Sequence, residues 1–279
     1  MTDTRERFDS DLSDLAGLSD NDIPLASSAL RLALPEYPEL DHQRWLSELD
    51  RLAARAREIA SGRSPSELLD ALDATLFDEH GLHGNATDYF DPRNSFLNDV
   101  LETRSGIPIS LAVIYIETGR RLGLQLEGIG FPGHFLVGHF ANHDVEFIDC
   151  FNRGARLGRS DCVDLLVANG GSADLFDESC LEPVTHRQIL LRMLANLKLI
   201  YLKRSDYARA VGAIDRILQL APDMLSEVRD RGLVLLQSGN AGTALHDLEQ
   251  YLDRSPAGTD LETVRKAMAA ARNSLARLN

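Results

Sequence analysis

The stretch Arg104–Asp149, RSGIPISLAVIYIETGRRLGLQLEGIGFPGHFLVGHFANHDVEFID, decides the fold. Behind Pro108 it carries Leu111, Ala112, Ile114, Tyr115, Ile116 and Leu122, with Arg120 and Arg121 near Gly123. Proline at the first helical position and glycine just past the end bound a helix. Apolar residues lie nearly all round it, which predicts that the helix is buried. After Gly123 the hydrophobic period changes from 3.6 towards 2. Leu124–Ile129, His134–Phe140 and Val145–Ile148 are expected as short strands, joined by Gly130-Phe131-Pro132-Gly133 and Ala141-Asn142-His143-Asp144. A small antiparallel sheet packed on a central helix is the predicted core, so the fold class is α+β.

Three segments of this stretch share one kind of chemistry. Arg104-Ser105-Gly106-Ile107-Pro108 enters the helix, Pro132-Gly133-His134-Phe135 enters a strand and Phe147-Ile148-Asp149 ends the next. A helix N-terminus lowers a thiol pKa and offers backbone donors, a histidine serves as base, and an aspartate fixes the imidazole tautomer. In that chain order these are the parts of a papain-like site. A hairpin turning about Ala141-Asn142 sets His134 directly opposite Asp149 on one face. A one-residue slip of register separates them.

The nucleophile is the missing part. Pro108 stands where the helix begins and has neither a nucleophilic atom nor a backbone N–H. Ser110 lies about 200° further round the helix, and Cys150 is expected on the opposite strand face from His134. Asn94 and Asn98 are one helical turn apart and are candidates for a pocket mouth, although Asn94 serves equally well as a helix cap. His139 and His143 flank the hairpin turn and are expected at the solvent. His80 and His83 have no carboxylate at a metal-ligand spacing, so no metal site is expected.

Outward from this core, both ends of the chain read as helical. Asp22 can cap a helix carrying Leu25, Ala29 and Leu32 that Pro35 and Pro38 end. Trp45, Leu49, Leu52, Ala53, Ala56 and Ile59 form an amphipathic stripe. Ser64-Pro65-Ser66-Glu67 is a capping box opening a third helix through Phe77. From Gln188 onward an offset of 34 superimposes Ser205 on Gly239, Ala210 on Ala244, Ile214 on Leu248 and Pro222 on Pro256. That period and its small residues are those of tetratricopeptide helical hairpins. Two hairpins and a capping helix over Leu261–Leu278 are expected.

Composition sets the outer bounds. The 279 residues carry a net charge of −14, distributed as −11 over residues 1–90, −7 over 91–182 and +4 over 183–279. Strong acidity argues against a sequence-independent grip on nucleic acid. No apolar run is long enough to span a bilayer and the acidic N-terminus is unlike a signal peptide, so a cytoplasmic address is expected. Cys150, Cys162 and Cys180 have neither disulfide-framework nor zinc spacing. The expected domains are an acidic mobile arm over 1–22, a core over 23–183 and repeats over 188–279.

The motifs Asn94-Ser95-Phe96-Leu97-Asn98, Gly106-Ile107-Pro108-Ile109-Ser110-Leu111, Phe131–Val137 and Ile148-Asp149-Cys150-Phe151-Asn152 resemble those of the bacterial SirB-type proteins. The resemblance covers nearly the whole chain from Ile23 and implies a transglutaminase-like, papain-related core followed by tetratricopeptide repeats. It places the family's histidine and aspartate on His134 and Asp149 and its nucleophile on Pro108. The expected function is that of a non-catalytic interaction or regulatory protein without a cofactor, meeting a protein or peptide partner through its repeats. The alternative is an amidase, protease or acyltransferase using His134 and Asp149 with another nucleophile. Oligomeric state has no sequence signal here.

Overall fold

The computed structural model describes residues 11–141, 144–254 and 260–277. Residues 1–10 of the expected arm, the turn residues Asn142 and His143, Pro256 and the end of the capping helix at Leu278 lie outside them. The chain divides into two compact units, Ser19–Met193 and Asp11–Leu18 with Leu194–Asn279.

The first unit begins with α1 (Leu25–Arg31), α2 (His42–Ile59) and α3 (Pro65–Asp73). Asp41 caps α2 by accepting from the Arg44 N–H, and Ser64 with Glu67 closes the capping box of α3. Trp45, Leu49, Leu52, Ala53 and Ala56 of α2 turn inward. The helical path continues past α3 as a π-helical turn over Ala74–Glu79. A two-residue parallel ladder then joins β1 (His83–Gly84) to β2 (Ser105–Gly106), with α4 (Leu97–Thr103) between them in the chain. α5 (Pro108–Leu122) follows directly, and Gly123 ends it in the left-handed conformation at φ 91°. It packs against α1, α2, α3 and α4 on one side and against the sheet on the other. Every residue from Pro108 to Ile116 is buried, as its all-round apolarity requires.

The sheet contains β3 (Leu126–Ile129), β4 (Leu136–Ala141), β5 (Asp144–Asp149), β6 (Ala155–Leu157) and β7 (Pro183–Val184) in the order β6-β5-β4-β3-β7, wholly antiparallel. The β4–β5 hairpin differs from the expected register. Val137 pairs with Ile148 and Ala141 with Asp144, so the pairing is shifted by two residues and Asp149 does not stand directly opposite His134. A shift by an even number preserves the face of every side chain. His134 precedes β4 in a bend, and its imidazole still reaches the Asp149 carboxylate. β6 and β7 had no alternating pattern to announce them, being only three and two residues long. α6 (Arg159–Ala168) packs Cys162 and Leu166 under the sheet with Ile129, Phe131, Leu136 and Phe147.

α7 (His186–Lys203) carries the chain into the second unit, which continues with α8 (Tyr207–Leu220), α9 (Leu225–Gln237), α10 (Ala241–Arg254) and α11 (Leu261–Ala276). The repeat read from sequence is visible residue by residue. Ala210 and Ala244 are both fully buried, as are Ile214 and Leu248, and Ser205 and Gly239 both turn left-handed at φ 56° and 87°. Much of the basic charge of this unit is spent internally. Lys198 reaches Glu227 at 2.7 Å and Asp230 at 3.1 Å, and Arg231 forks onto Asp247 at 2.7 and 2.9 Å.

The arm expected over residues 1–22 is folded where it is described. Leu12 and Leu15 are buried, the short turn Ser13–Leu15 packs on α8, and the Leu12 N–H donates to Gln219 Oε1 at 3.0 Å. Two leucines three residues apart supply one apolar face, enough for a single turn that tertiary packing completes. Further on, within the first unit, Asp20 accepts from Arg187 at 2.6 Å.

Candidate functional site

The site is built on the bend before β4 and the end of β5. His134 Nε2 lies 2.9 Å from Asp149 Oδ1, with both residues buried. The same carboxylate accepts from the backbone N–H of Phe151 at 3.0 Å and of Asn152 at 3.2 Å, and its other oxygen accepts from Asn152 Nδ2 at 2.8 Å. Asp149 is thus both the orienter of the imidazole and the residue that winds the chain into its turn after β5. Burial pushes its carboxyl up, but the bonds from His134 and Asn152 outweigh burial and hold it below the usual carboxylate range. With Nε2–H given to Asp149, His134 Nδ1 carries the acceptor lone pair, and no hydrogen bond to it is found among the described residues.

The ring of Phe151 connects this pair to the entrance of α5. It stands edge-on to His134 with centroids 6.0 Å apart. Gly84 of the small parallel ladder lies beneath it so closely that a Cβ there would meet the ring at 2.5 Å. Since β1 pairs with β2 immediately before Pro108, the ladder sets the height of the ring relative to the helix start. Tyr89 meets the same ring edge-on at 6.3 Å and Phe90 meets Tyr89 at 5.4 Å.

The other candidate residues have structural duties. Ser110 is fully buried; its hydroxyl donates to the Asn94 carbonyl at 2.6 Å and accepts the Ile107 N–H at 3.1 Å. Asn94 sits in the turn Pro92–Ser95 ahead of α4 without capping it, and its amide donates to the carbonyls of Asp88 and Tyr89. Together Ser110 and Asn94 pin the loop that carries Tyr89. Asn98 is buried, with its Oδ1 unpartnered and its Nδ2 donating to Asp99. His139 is buried in the sheet, which corrects its expected place at the solvent.

No cysteine is available to His134. Cys150 is wholly buried beside Asp149, in the field of Asp73 and Arg156, and burial pushes its thiol far up. Cys162 lies in the apolar cluster under the sheet with its thiol pushed up to about 11. A cavity of about 530 Å³ does exist in this unit, lined by Arg120, Gln125, Glu127 and His186 among others, but it includes none of Pro108, His134 and Asp149.

A sequence reading built on motifs missed Phe151, Gly84, Tyr89 and Arg192 as parts of the site. Arg192 Nη2 donates to the carbonyls of Phe131 at 2.8 Å and His134 at 2.5 Å, clamping the bend that presents the imidazole. The one available signal was an arginine amid the apolar run Ile189–Leu194.

The model of the transglutaminase-like superfamily matches residues 43–195, more than half of the chain, and spans every residue of this geometry. The chain belongs to the transglutaminase-like superfamily. A tetratricopeptide repeat model matches residues 197–269 of this transglutaminase-like protein. It is similar to the UPF0162 protein of Xylella fastidiosa strain Temecula1, 40% identical over 258 residues that cover 90% of this chain and 91% of the relative. The UPF0162 protein of Vibrio cholerae is 30% identical over 84% of this chain and 87% of its own. Human F-box only protein 21 is 27% identical over 82% of this chain, a match that takes up 35% of that longer protein. No solved structure matches this transglutaminase-like protein.

Proposed function

We propose that this protein is a non-catalytic member of its superfamily, of SirB type, that acts in the cytoplasm by binding. The His134–Asp149 pair serves as a polar anchor within a recognition surface, and the helical repeats receive a protein partner. The observation that carries this reading is Pro108 at the first turn of α5, where acyl-transfer chemistry needs a nucleophile and a donor. Ser110 cannot stand in for it, because its hydroxyl is committed to Asn94 and Ile107. Cys150 cannot, because its thiol is buried away from water and strongly disfavours the thiolate.

The test is labelling of the folded protein with fluorophosphonate and chloroacetamide acyl-site probes. No stoichiometric labelling is expected. Labelling that disappears in Ser110→Ala or Cys150→Ala overturns the reading. The unpartnered His134 Nδ1 favours one rival, an amidase or acyltransferase in which the imidazole activates water directly. That rival requires His134→Ala to abolish turnover while the melting temperature stays within a few degrees. For the repeats, Leu199 is an exposed apolar residue of α7, 47% accessible. Affinity capture with the full chain and with Leu199→Glu is expected to lose a partner in the variant, and identical captures remove the repeats from the proposal.

A further inference from the structure

The cavity of about 530 Å³ in the first unit lies apart from Pro108, His134 and Asp149, and its volume is that of a small-molecule site. Its charged lining residues are Arg120, in the last turn of α5, and Glu127 of β3, and they pair with each other at 3.0 Å. The same Arg120 Nη2 group donates to the Leu126 carbonyl at 3.1 Å. His186 lines the cavity beside them. Its Nδ1 faces the Ile23 carbonyl at 2.7 Å and must donate, so Nε2, 2.5 Å from Arg120 Nη1, is the acceptor. The imidazole is therefore the neutral Nδ1–H tautomer. With Arg120 answered by a carboxylate and His186 neutral, this wall makes no provision for an anion.

What the wall leaves unfilled is hydrogen-bonding capacity beside an aromatic ring. Glu127 Oε2 takes the bond from Arg120, and its Oε1 has no partner among the described residues. The Gln125 carbonyl accepts the Phe140 N–H at 3.3 Å, whereas the Gln125 side-chain amide has no partner among the described residues. That backbone bond sets Gln125 opposite Phe140, and Glu127, two residues further along β3, shares its face. The half-buried ring of Phe140 lies over Gly138, where a Cβ would meet it at 2.7 Å. Gly138 is in turn the residue paired with Glu127. An aromatic ring, a primary amide and a carboxylate oxygen thus meet on two adjacent rows of one sheet face, all lining the cavity.

These three groups are complementary to one kind of molecule. A glutamine amide meets the amino and ring-nitrogen edge of adenine with two hydrogen bonds, a carboxylate oxygen accepts from an exocyclic amino group, and an aromatic side chain stacks on the face of a base. We propose that the cavity binds a purine that carries an exocyclic amino group and no phosphate, as the free base or the nucleoside. Phe140 stacks on the purine, and the Gln125 amide and Glu127 Oε1 take its amino edge. The phosphate of a nucleotide finds no unanswered cation at this wall and is disfavoured by the Glu127 carboxylate. The site stands apart from the His134–Asp149 pair, and neither reading depends on the other.

The full chain, labelled with ¹³C at histidine Cε1, is titrated at constant pH with adenosine, inosine and adenosine 5′-monophosphate. The His186 signal is assigned by its loss in His186→Asn and the His134 signal by its loss in His134→Ala. Adenosine is expected to move the His186 signal saturably. It is expected to bind at least about tenfold tighter than inosine, which lacks the amino group, and than the monophosphate, equivalent to about 1.4 kcal/mol in each case. Gln125→Ala is expected to weaken adenosine about tenfold at an unchanged melting temperature, because the Gln125 amide holds nothing in the fold. The proposal is overturned if adenosine leaves the His186 signal unmoved up to about 10 mM, a concentration that reaches even weak contacts. Inosine or the monophosphate binding as tightly as adenosine overturns it, as does a Gln125→Ala protein that binds adenosine like the wild type. Movement of the His134 signal alone would put the nucleoside at the other site and overturn this one. The ranking of the three molecules needs only the wild type, so a variant that fails to fold leaves it intact.

Discussion

Asp73 is the residue whose surroundings differ most from what its type suggests. It is part-buried under β6, where it accepts from the Tyr115 hydroxyl at 2.7 Å and from Arg156. Desolvation raises its pKa to about 6 against the pull of Arg156. A folded-state pKa above the unfolded value means that the native form binds the proton more tightly, so this group's contribution is favourable at low pH. It is lost as pH rises from about 4 to about 6 and is constant above that. Wild type is therefore expected to lose on the order of 2–3 kcal/mol relative to Asp73→Asn across that interval, measured by urea unfolding at several pH values. A difference that stays flat with pH refutes it. Asp149 works the other way: its lowered pKa contributes stability above the ordinary carboxylate range and loses it as pH falls below about 4. In the second unit, Asp247 is 1% exposed and depends on Arg231. Arg231→Ala leaves a buried charge uncompensated and is expected to destabilise that unit by about 3 kcal/mol or more. The double change Arg231→Leu with Asp247→Leu is expected to recover most of the loss, because it removes the stranded charge; chemical denaturation of the three proteins checks both.

At the scale of elements, glycines separate the packed face of a helix from its open face. A Cβ added at Gly212 on α8 would have no atom within 4 Å, whereas a Cβ on Gly232 of α9 would lie 2.8 Å from Leu248 and 3.2 Å from the Ala244 carbonyl. The same substitution should then have opposite signs. Gly212→Ala is expected to stabilise by about 0.5–1 kcal/mol through helix propensity, and Gly232→Ala to destabilise by about 1 kcal/mol or more through overpacking. Thermal melts of the two variants that shift in the same direction count against this packing account. The repeats were legible because a 34-residue period fixes both the helices and their contacts. α5 was legible because its apolar residues encircle it between proline and glycine. The proximity of His134 and Asp149 was legible from their places at the start of one strand and the end of the next, but the register was not: the pairing moves by two and His134 sits in a bend before β4. β6 and β7 were not legible, because a two- or three-residue strand has no period. Phe151 and Gly84 were not, because their contact joins residues 67 positions apart through two separate ladders, and nothing local in the sequence records it.

The whole molecule is held by segments distant in sequence. Asp11–Leu18 belongs with Leu194–Asn279, so the first unit is inserted within the second along the chain. Replacing both Leu12 and Leu15 by Ser removes two buried side chains from α8's surroundings and is expected to destabilise the second unit by about 3 kcal/mol. Hydrogen exchange is expected to quicken in the amides of α8 and leave α5 unchanged; protection lost equally in α5 would show that the segment is not specific to the repeats. Burial of these two apolar side chains is the driving force for that contact. Among the described residues no helix is long and apolar enough to cross a membrane.

The seat of Leu12 also sets an order of events when the chain is made. Residues 11–18 leave the ribosome well before Gln219, which receives the Leu12 N–H and emerges after about 200 further residues, roughly 10–40 s later at ordinary synthesis rates. Through that interval Leu12 and Leu15 have no place to go, while Ser19–Met193 can already complete its own core. The segment made before the first unit is thus the last to find its place in the second, and a ribosome-bound chain halted with residues up to about 195 outside the ribosome is expected to hold a folded central unit with a protease-sensitive stretch over residues 11–18.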